Sequence, residues 1–506
     1  SGTITIDGSS VAGLTGITDS ASPYSTALGS GALGATPTGT SNTAVGYNAG
    51  AALTSGYQNV FLGTSSGSTM TTGYKNVGIG LDTLANATGT SNVAMGSEAL
   101  YITTGFGSIG IGHQALRANN TGDFNVGLGY RAADRVTTGS YNIAFGYDSM
   151  GASAGVTGSN NIAIGAAAGE DLTTALYTIS IGYEAGANIT TASNNVAIGR
   201  NASTALTTGI ENIAIGVGSL SARTIGQQAI GIGSNAGGAY TGSNQFVAIG
   251  HGAFDNSGGM VESVGVGNGV GGSMTSGQWN VFVGHNTASN RPGGSNNVFM
   301  GYITGTGTTA TGSNNTAIGH GAYKVSTTGG NNTVLGYNVG NSITTGSNNT
   351  VLGFNADASS ATVSNEVTLG DANVTRFRIP GIGLDWTAAP ASLTGITDSA
   401  QNTALGINAA INLTTGNNNT IVGYLAGNDI SSGNYNIMAG RGAGQLSTTS
   451  SHNYFIGYIA GGAAVTPGES NIAIGRSAMS VGSIAGADNI AIGQTAGNNI
   501  STGAYN

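Results

Sequence analysis

The sequence predicts an all-β fold, a parallel β-solenoid (β-roll) built from coils of about 17 residues. Three observations predict it. A glycine returns mostly every 17 residues, closing the phrase N-[IVT]-[AVF]-[ILFV]-G, as at Gly46, Gly63, Gly165, Gly199, Gly216, Gly319, Gly336, Gly353 and Gly423. The residues before it alternate large and small, as in Ile162-Ala163-Ile164. A turn phrase such as Thr344-Thr345-Gly346-Ser347-Asn348-Asn349 separates one unit from the next. A unit this short cannot bury a core alone and must stack on its neighbours.

The repeat divides the chain. Residues 1–25 precede it as an N-terminal connector, residues 26–370 form a first roll, residues 371–401 a connector or neck, and residues 402–506 a second roll. Pro380, Pro390, Trp386, Arg376 and Arg378 gather in the neck, where Thr375, Phe377 and Ile379 alternate with Val374, Arg376 and Arg378 as in a short strand. Leu393–Ala400 then repeats Leu14–Ala21, so connector and roll recur as a pair. Each connector is expected to lock chains together between rolls. The sequence stops inside a repeat and reads as part of a longer chain. With coils about 4.8 Å apart, the first roll is expected to span roughly 100 Å and the second roughly 25–30 Å.

Within a coil, numbered from the anchor glycine, the preceding triplet reads as a strand. Three after the anchor comes a small residue (Ala49, Ala99, Ala115, Ala132, Ala185), and seven after comes an apolar one (Leu53, Val136, Ile189, Ile343, Leu413). This predicts strand, bend, short second strand and turn, with stacked Ile, Val and Leu filling the interior. Gly and Asn of the turn phrase are expected to supply positive φ. Asn four before the anchor (Asn42, Asn59, Asn92, Asn161, Asn195, Asn212, Asn297, Asn349, Asn419) suits either an amide ladder along the axis or simple turn preference. The Ala and Gly of the strand leave a face of small groups on which another roll can pack closely. A thin coil buries little by itself, so a homotrimer about the long axis is expected.

Composition narrows the function. Gly accounts for 91 of 506 residues and charged residues for only 7%, against about 25% in ordinary soluble proteins. Apolar residues in fixed register argue against disorder. The formal net charge is −9 and Lys75 and Lys324 are the only lysines, so counterion-release binding to nucleic acid is not expected. Cysteine is absent, which suits an extracellular or virion protein indifferent to redox state. No run approaches the roughly 18 apolar residues of a membrane span, so membrane insertion is not expected.

Little in the chain points to chemistry. Gly29-x-Gly31-x-x-Gly34 matches a dinucleotide fingerprint by letter but lies in a coil with no βαβ unit around it. No cofactor is expected. The position after the anchor carries a stripe that includes Tyr130, Tyr147, Tyr183, His251, His285, His320 and Tyr337, with Arg200, Arg441 and Arg476. Metal ligands must converge, and a stripe does not, so no metal is expected. The stripe suits sugar stacking or, better, a packing seam within a trimer. Carboxylates favour the position two after the anchor (Asp82, Glu98, Asp148, Glu184), which reads as a solvated face. Glu170 and Asp171 form the one adjacent acidic pair, where the coil widens to 19 residues. Glycan cleavage needs such pairs, yet no catalytic residue is assigned.

The tandem phrase N-x-[AV]-[IV]-G-x-x-[AS] resembles the YadA-like head of trimeric autotransporter adhesins over residues 26–370 and 402–506. The 17-residue unit with its T-T-G-S-N-N turn looks still more like repeats of bacteriophage tail-fibre proteins, and Glu366–Trp386 looks like a connector in such fibres. The resemblance implies a trimeric, non-enzymatic virion fibre that spaces or presents host-attachment surfaces. Its partners would be itself, other fibre or virion proteins, and a host surface glycan or protein. The alternatives are the head of a bacterial surface adhesin and, further off, a glycan-cleaving tailspike. Binding specificity is expected outside these residues or in the irregular coils around Gly238–Gly277.

Overall fold

A computed structural model describes residues 24–35, 37–151, 154–242, 245–256, 258, 260–374, 376–379, 384–387, 401–462, 468–481, 485–498 and 500. The chain forms two compact units that meet between Ala372 and Asn373. The first holds one sheet of 21 strands, running from Thr26–Leu28 to Val367–Leu369. The second holds a sheet of six, from Thr403–Leu405 to Ile490–Ile492. Both are parallel solenoids, and the described residues contain no helix. Equivalent residues of successive coils pair in register: Ile162 with Ile179, Ala163 with Ser180, Ile164 with Ile181. The expected β-roll is therefore present in both segments.

The strands face the opposite way from the expectation. Their central residue points inward: Ala44, Ala94, Ala163, Ala214 and Ala317 are fully buried. The flanking aliphatics point outward, with Ile143 at 40% and Leu335 at 47% exposure. Alternation gives a strand two faces but does not say which is inside. The narrow interior decides it, because a one-coil cross-section has room for Ala beside the Leu, Met and Phe that enter from elsewhere. Those larger residues come from the position seven after the anchor, as Leu53, Met70, Ile189 and Leu206, and from the position four after it, as Leu84, Leu100 and Leu116. The alanines three after the anchor are buried as expected.

Size is traded between two columns. Where the strand centre is large, as Phe61, Phe299 or Phe455, the residue four after the anchor is Gly67, Gly305 or Gly461, and a Cβ there would strike that same ring. Where the latter position is large, as Leu116, Leu220 or Phe254, the strand centre of its own or the next coil shrinks to Gly127, Gly231 or Gly265, whose added Cβ would meet it. In these coils the two columns exchange volume, as close packing demands.

The anchor glycine is required twice over. At Gly165 φ is +129°, and a Cβ would lie 2.6 Å from the Gly182 carbonyl oxygen of the next coil. The turn glycine has another cause. Positive φ falls on Asn348 (φ 59°) and not on Gly346; an added Cβ at Gly346 would overlap the Val363 carbonyl. The expectation that the turn glycine supplies positive φ holds at Gly277 (φ +122°) and Gly294 (φ +102°), whereas at positions such as Gly346 it supplies room. Left-handed residues two and four after the anchor, such as Asp82 and Leu84, also break the expected second strand. Among the described residues it survives in short pieces such as Asn86–Ala87 paired with Ile102–Thr103.

The asparagines form the ladder. Asn297 Nδ2 and backbone N–H donate to Asn280 Oδ1 at 3.1 and 3.0 Å; Asn315 does the same to Asn297, and Asn332 to Asn315. Each Nδ2 also donates to a turn carbonyl, as Asn315 to Gly329 at 3.0 Å. In the second roll the ladder links Asn402, Asn419 and Asn436. At the end of the first roll Glu366 takes the Asn position, and its N–H donates to Asn349 Oδ1 at 2.9 Å. Two arginines lie within the interior. Arg291, fully buried, donates to the carbonyls of Gly293 and Gly312 and lies 5.1 Å from the Phe299 ring centre; burial pushes its guanidinium down to about 10.

In the neck, Arg376–Ile379 pairs antiparallel with Leu384–Thr387, setting Phe377 opposite Trp386. The expected strand over Thr375–Ile379 is thus one arm of a hairpin. The repeated segments Leu14–Ala21 and Leu393–Ala400, with Pro380 and Pro390, lie outside the described residues.

Candidate functional site

The outer face of the first sheet carries the chemistry the chain offers. In the two longest strands, Val281–His285 and Val298–Tyr302, the alternation runs past the anchor glycine. The stripe residue therefore projects on the same side as the outward aliphatics. There it makes two ring stacks. His285, Tyr302, His320, Tyr337 and Phe354 follow one another with centroids 5.3, 4.9, 4.9 and 5.4 Å apart. His113, Tyr130 and Tyr147 form the other, both steps at 5.3 Å. Tyr183 and His251 stand outside both stacks, because their neighbours in the column are Ala166, Arg200, Ser234 and Asn268. In the second roll the column alternates as Tyr424, Arg441, Tyr458 and Arg476, with each guanidinium 5.6–5.9 Å from a ring centre.

This geometry bears on the two uses weighed for the stripe. In a face-to-face stack each inner ring is covered above and below, and only its edge meets solvent. Sugar stacking needs an open face. Inner rings such as Tyr302 and Tyr337 thus present a seam of edges suited to packing. Phe354 extends the stack and was missed from sequence, although its position in the column was the available signal.

Two of the carboxylates two after the anchor, Glu98 and Asp148, pair with arginines across coils. Arg131 lies 3.3 Å from Asp148 and 3.8 Å from Asp134, and Arg117 lies 2.9 Å from the buried Asp134. Around Arg117 and Arg131 the face is therefore an ion-pair network. Partial burial, then the charges of Asp171, Asp148 and Glu184, raise the Glu170 carboxyl above its ordinary value. Asp148 and Glu184 likewise raise the adjoining Tyr147 and Tyr183 hydroxyls. Among the described residues no three His, Asp or Glu side chains gather as a metal-binding group. Gly29 closes a strand but is followed by turns in place of the helix a dinucleotide site requires.

The coils of Gly233, Gly250 and Gly267 are three in succession that lack the ladder Asn. Their Asn positions hold Ala229, Phe246 and Ser263, and their strands lengthen to four residues. Outside them lies a shallow groove of about 240 Å³, floored by Val247 and Val264 and walled by Gln228, Gln245 and Glu262. The wall is made of two hydrogen-bonded stretches, Glu211–Gln228–Gln245 and Glu262–Trp279. Gln228 Nε2 donates to Glu211 Oε2 at 2.8 Å, and Gln245 Nε2 donates to Gln228 Oε1. At its far end the half-exposed Trp279 donates its indole N–H to Glu262 Oε2 at 2.8 Å. The sequence drew attention to the irregular coils around Gly238–Gly277 but singled out none of the row. The lost Asn was the available signal. No protein-family model matches the chain, and no curated protein matches it either.

Proposed function

We propose that the chain is a non-enzymatic structural fibre of a phage virion, a homotrimer about the roll axis that spaces or presents host-attachment surfaces outside the cell. The observation that carries this reading is the outward aliphatic double row. Along 21 coils it covers on the order of 1,000 Å², whereas monomeric proteins seldom leave more than a few hundred Å² of contiguous apolar surface uncovered. In-register aliphatics flanked by edge-on aromatics suit a self-complementary face buried against other copies. Association is proposed on a different face from the one expected: the aliphatics face outward, and the alanines fill the roll. The resemblance of the repeat to tail-fibre and adhesin-head sequences favours three copies.

Sedimentation equilibrium of the purified chain tests the assembly. The expected mass is three times the 49.3 kDa of the chain; a monomer would end the proposal. Antibody against the chain should decorate virion appendages and leave bacterial surfaces bare. The reverse labelling would favour the adhesin.

A further inference from the structure

We propose that the groove over the coils of Gly233, Gly250 and Gly267 binds a neutral glycan laid along the roll axis, with the Trp279 ring as its stacking platform. The inference rests on the reading of the chain as an attachment fibre and names the site and ligand class.

Three features carry it. The first is the open aromatic. Trp279 is half-exposed and, among the described residues, no aromatic ring stacks on it, in contrast to the inner Tyr and His rings. Its N–H is fixed on Glu262, which orients the ring in advance. The second is the polar row. Gln228, Gln245 and Glu262 follow one another at the coil repeat of about 4.8 Å, close to the advance of one sugar in an extended β-linked chain. A carboxamide has two hydrogens and an oxygen with two lone pairs, so the bonds along the row leave donor and acceptor capacity for hydroxyls. Val247 and Val264 give an apolar floor for the C–H face of a ring. The third is charge. The groove's lining has carboxylate and carboxamide groups and neither Lys nor Arg, so it disfavours sulfated or uronic polymers.

The cost to the scaffold supports a dedicated site. Three successive coils forgo the buried Asn ladder, and Tyr240 and Phe246 fill the interior there instead, 4.7 Å apart.

Tryptophan emission tests the proposal on the full chain. The only other tryptophan is Trp386, so the Trp386→Phe variant reports on Trp279 alone. The probes are soluble hexamers of β-1,4-linked glucose, mannose and N-acetylglucosamine, with heparin as the polyanionic probe. At least one neutral hexamer should shift the emission saturably, and heparin should not. By calorimetry, Trp279→Asn and Gln245→Ala should each weaken that hexamer at least tenfold. Asn occupies the Trp279 position in neighbouring coils, as Asn296 and Asn314, so the first variant should fold. The site is refuted if no neutral hexamer alters the emission, if heparin binds as well, or if affinity survives both substitutions. Sedimentation of the same samples separates the two proposals: a trimer without saccharide response overturns the groove alone, and a monomer overturns the fibre.

Discussion

At the scale of single residues, stability resides in groups that link one coil to the next. Gly199 has φ +125°, and a Cβ there would lie 2.6 Å from the Gly216 carbonyl. Gly199→Ala should cost about 3 kcal/mol from backbone strain and overlap together, read as a lower denaturation midpoint. Asn315→Ala removes the acceptor for the Asn332 amide and the donor for the Gly329 carbonyl. Both are buried in the ladder, so a loss of about 2 kcal/mol is expected; an unchanged midpoint would mean the ladder adds nothing beyond turn preference. Glu366 ends the ladder. Hydrogen bonds from the Ser359 hydroxyl, the Thr368 hydroxyl and the Ser359 amide hold its carboxyl below the ordinary 4.5. A depressed carboxyl stabilises the folded end above its unfolded value and loses that contribution as pH falls through the folded one. Amide protection factors around Ser359 and Thr368, taken relative to the intrinsic exchange rate at each pH, should therefore fall on acidification below about 4.5, and Glu366→Gln should abolish that dependence.

At the scale of the element, the strand was legible and its orientation was not. Ile162-Ala163-Ile164 announces period 2, but sequence rules place large residues inside by default. Here the coil is too thin for two aliphatics per strand, so alanine goes in and the isoleucines go out to another surface. The Trp279 row was hidden for a related reason. Its members lie 17 residues apart, and only the register makes Gln228, Gln245 and Glu262 neighbours. The size trade between columns was equally invisible, because it joins residues across a turn and across coils. It gives a test. Phe61→Ala should cost about 3–5 kcal/mol by leaving a cavity. Adding Gly67→Leu should recover part of that, because Gly67 has φ +62° and Leu84 already occupies the equivalent position at φ 51°. Denaturant midpoints of the single and double variants decide it. A double variant no better than Phe61→Ala would show that the columns do not exchange volume.

At the scale of the molecule, stacking makes the first roll modular. Each coil touches chiefly its neighbours, the buried Arg291 reaching two coils on to Ser326, so stability is close to a sum of coil and interface terms. Whole coils should therefore be removable and fractions of a coil should not. Deleting Tyr47–Gly80 takes out two complete units and joins Gly46 to Leu81. The junction keeps every column. Asn42 meets Asn92 in the ladder, Thr43–Val45 meets Val93–Met95 in the sheet, and the small Ala44 shares its layer with the bulky Leu84. The shortened chain should keep its β circular dichroism, its assembly state and a denaturation midpoint near that of the parent. Deleting Tyr47–Ser55 removes about half a unit and sets the buried Ala49 column against residues that belong in a turn. That chain should lose cooperative unfolding in the first roll. If both deletions are tolerated alike, register does not govern the fold; if both fail alike, stability in this part of the roll depends on contacts longer in range than neighbouring coils.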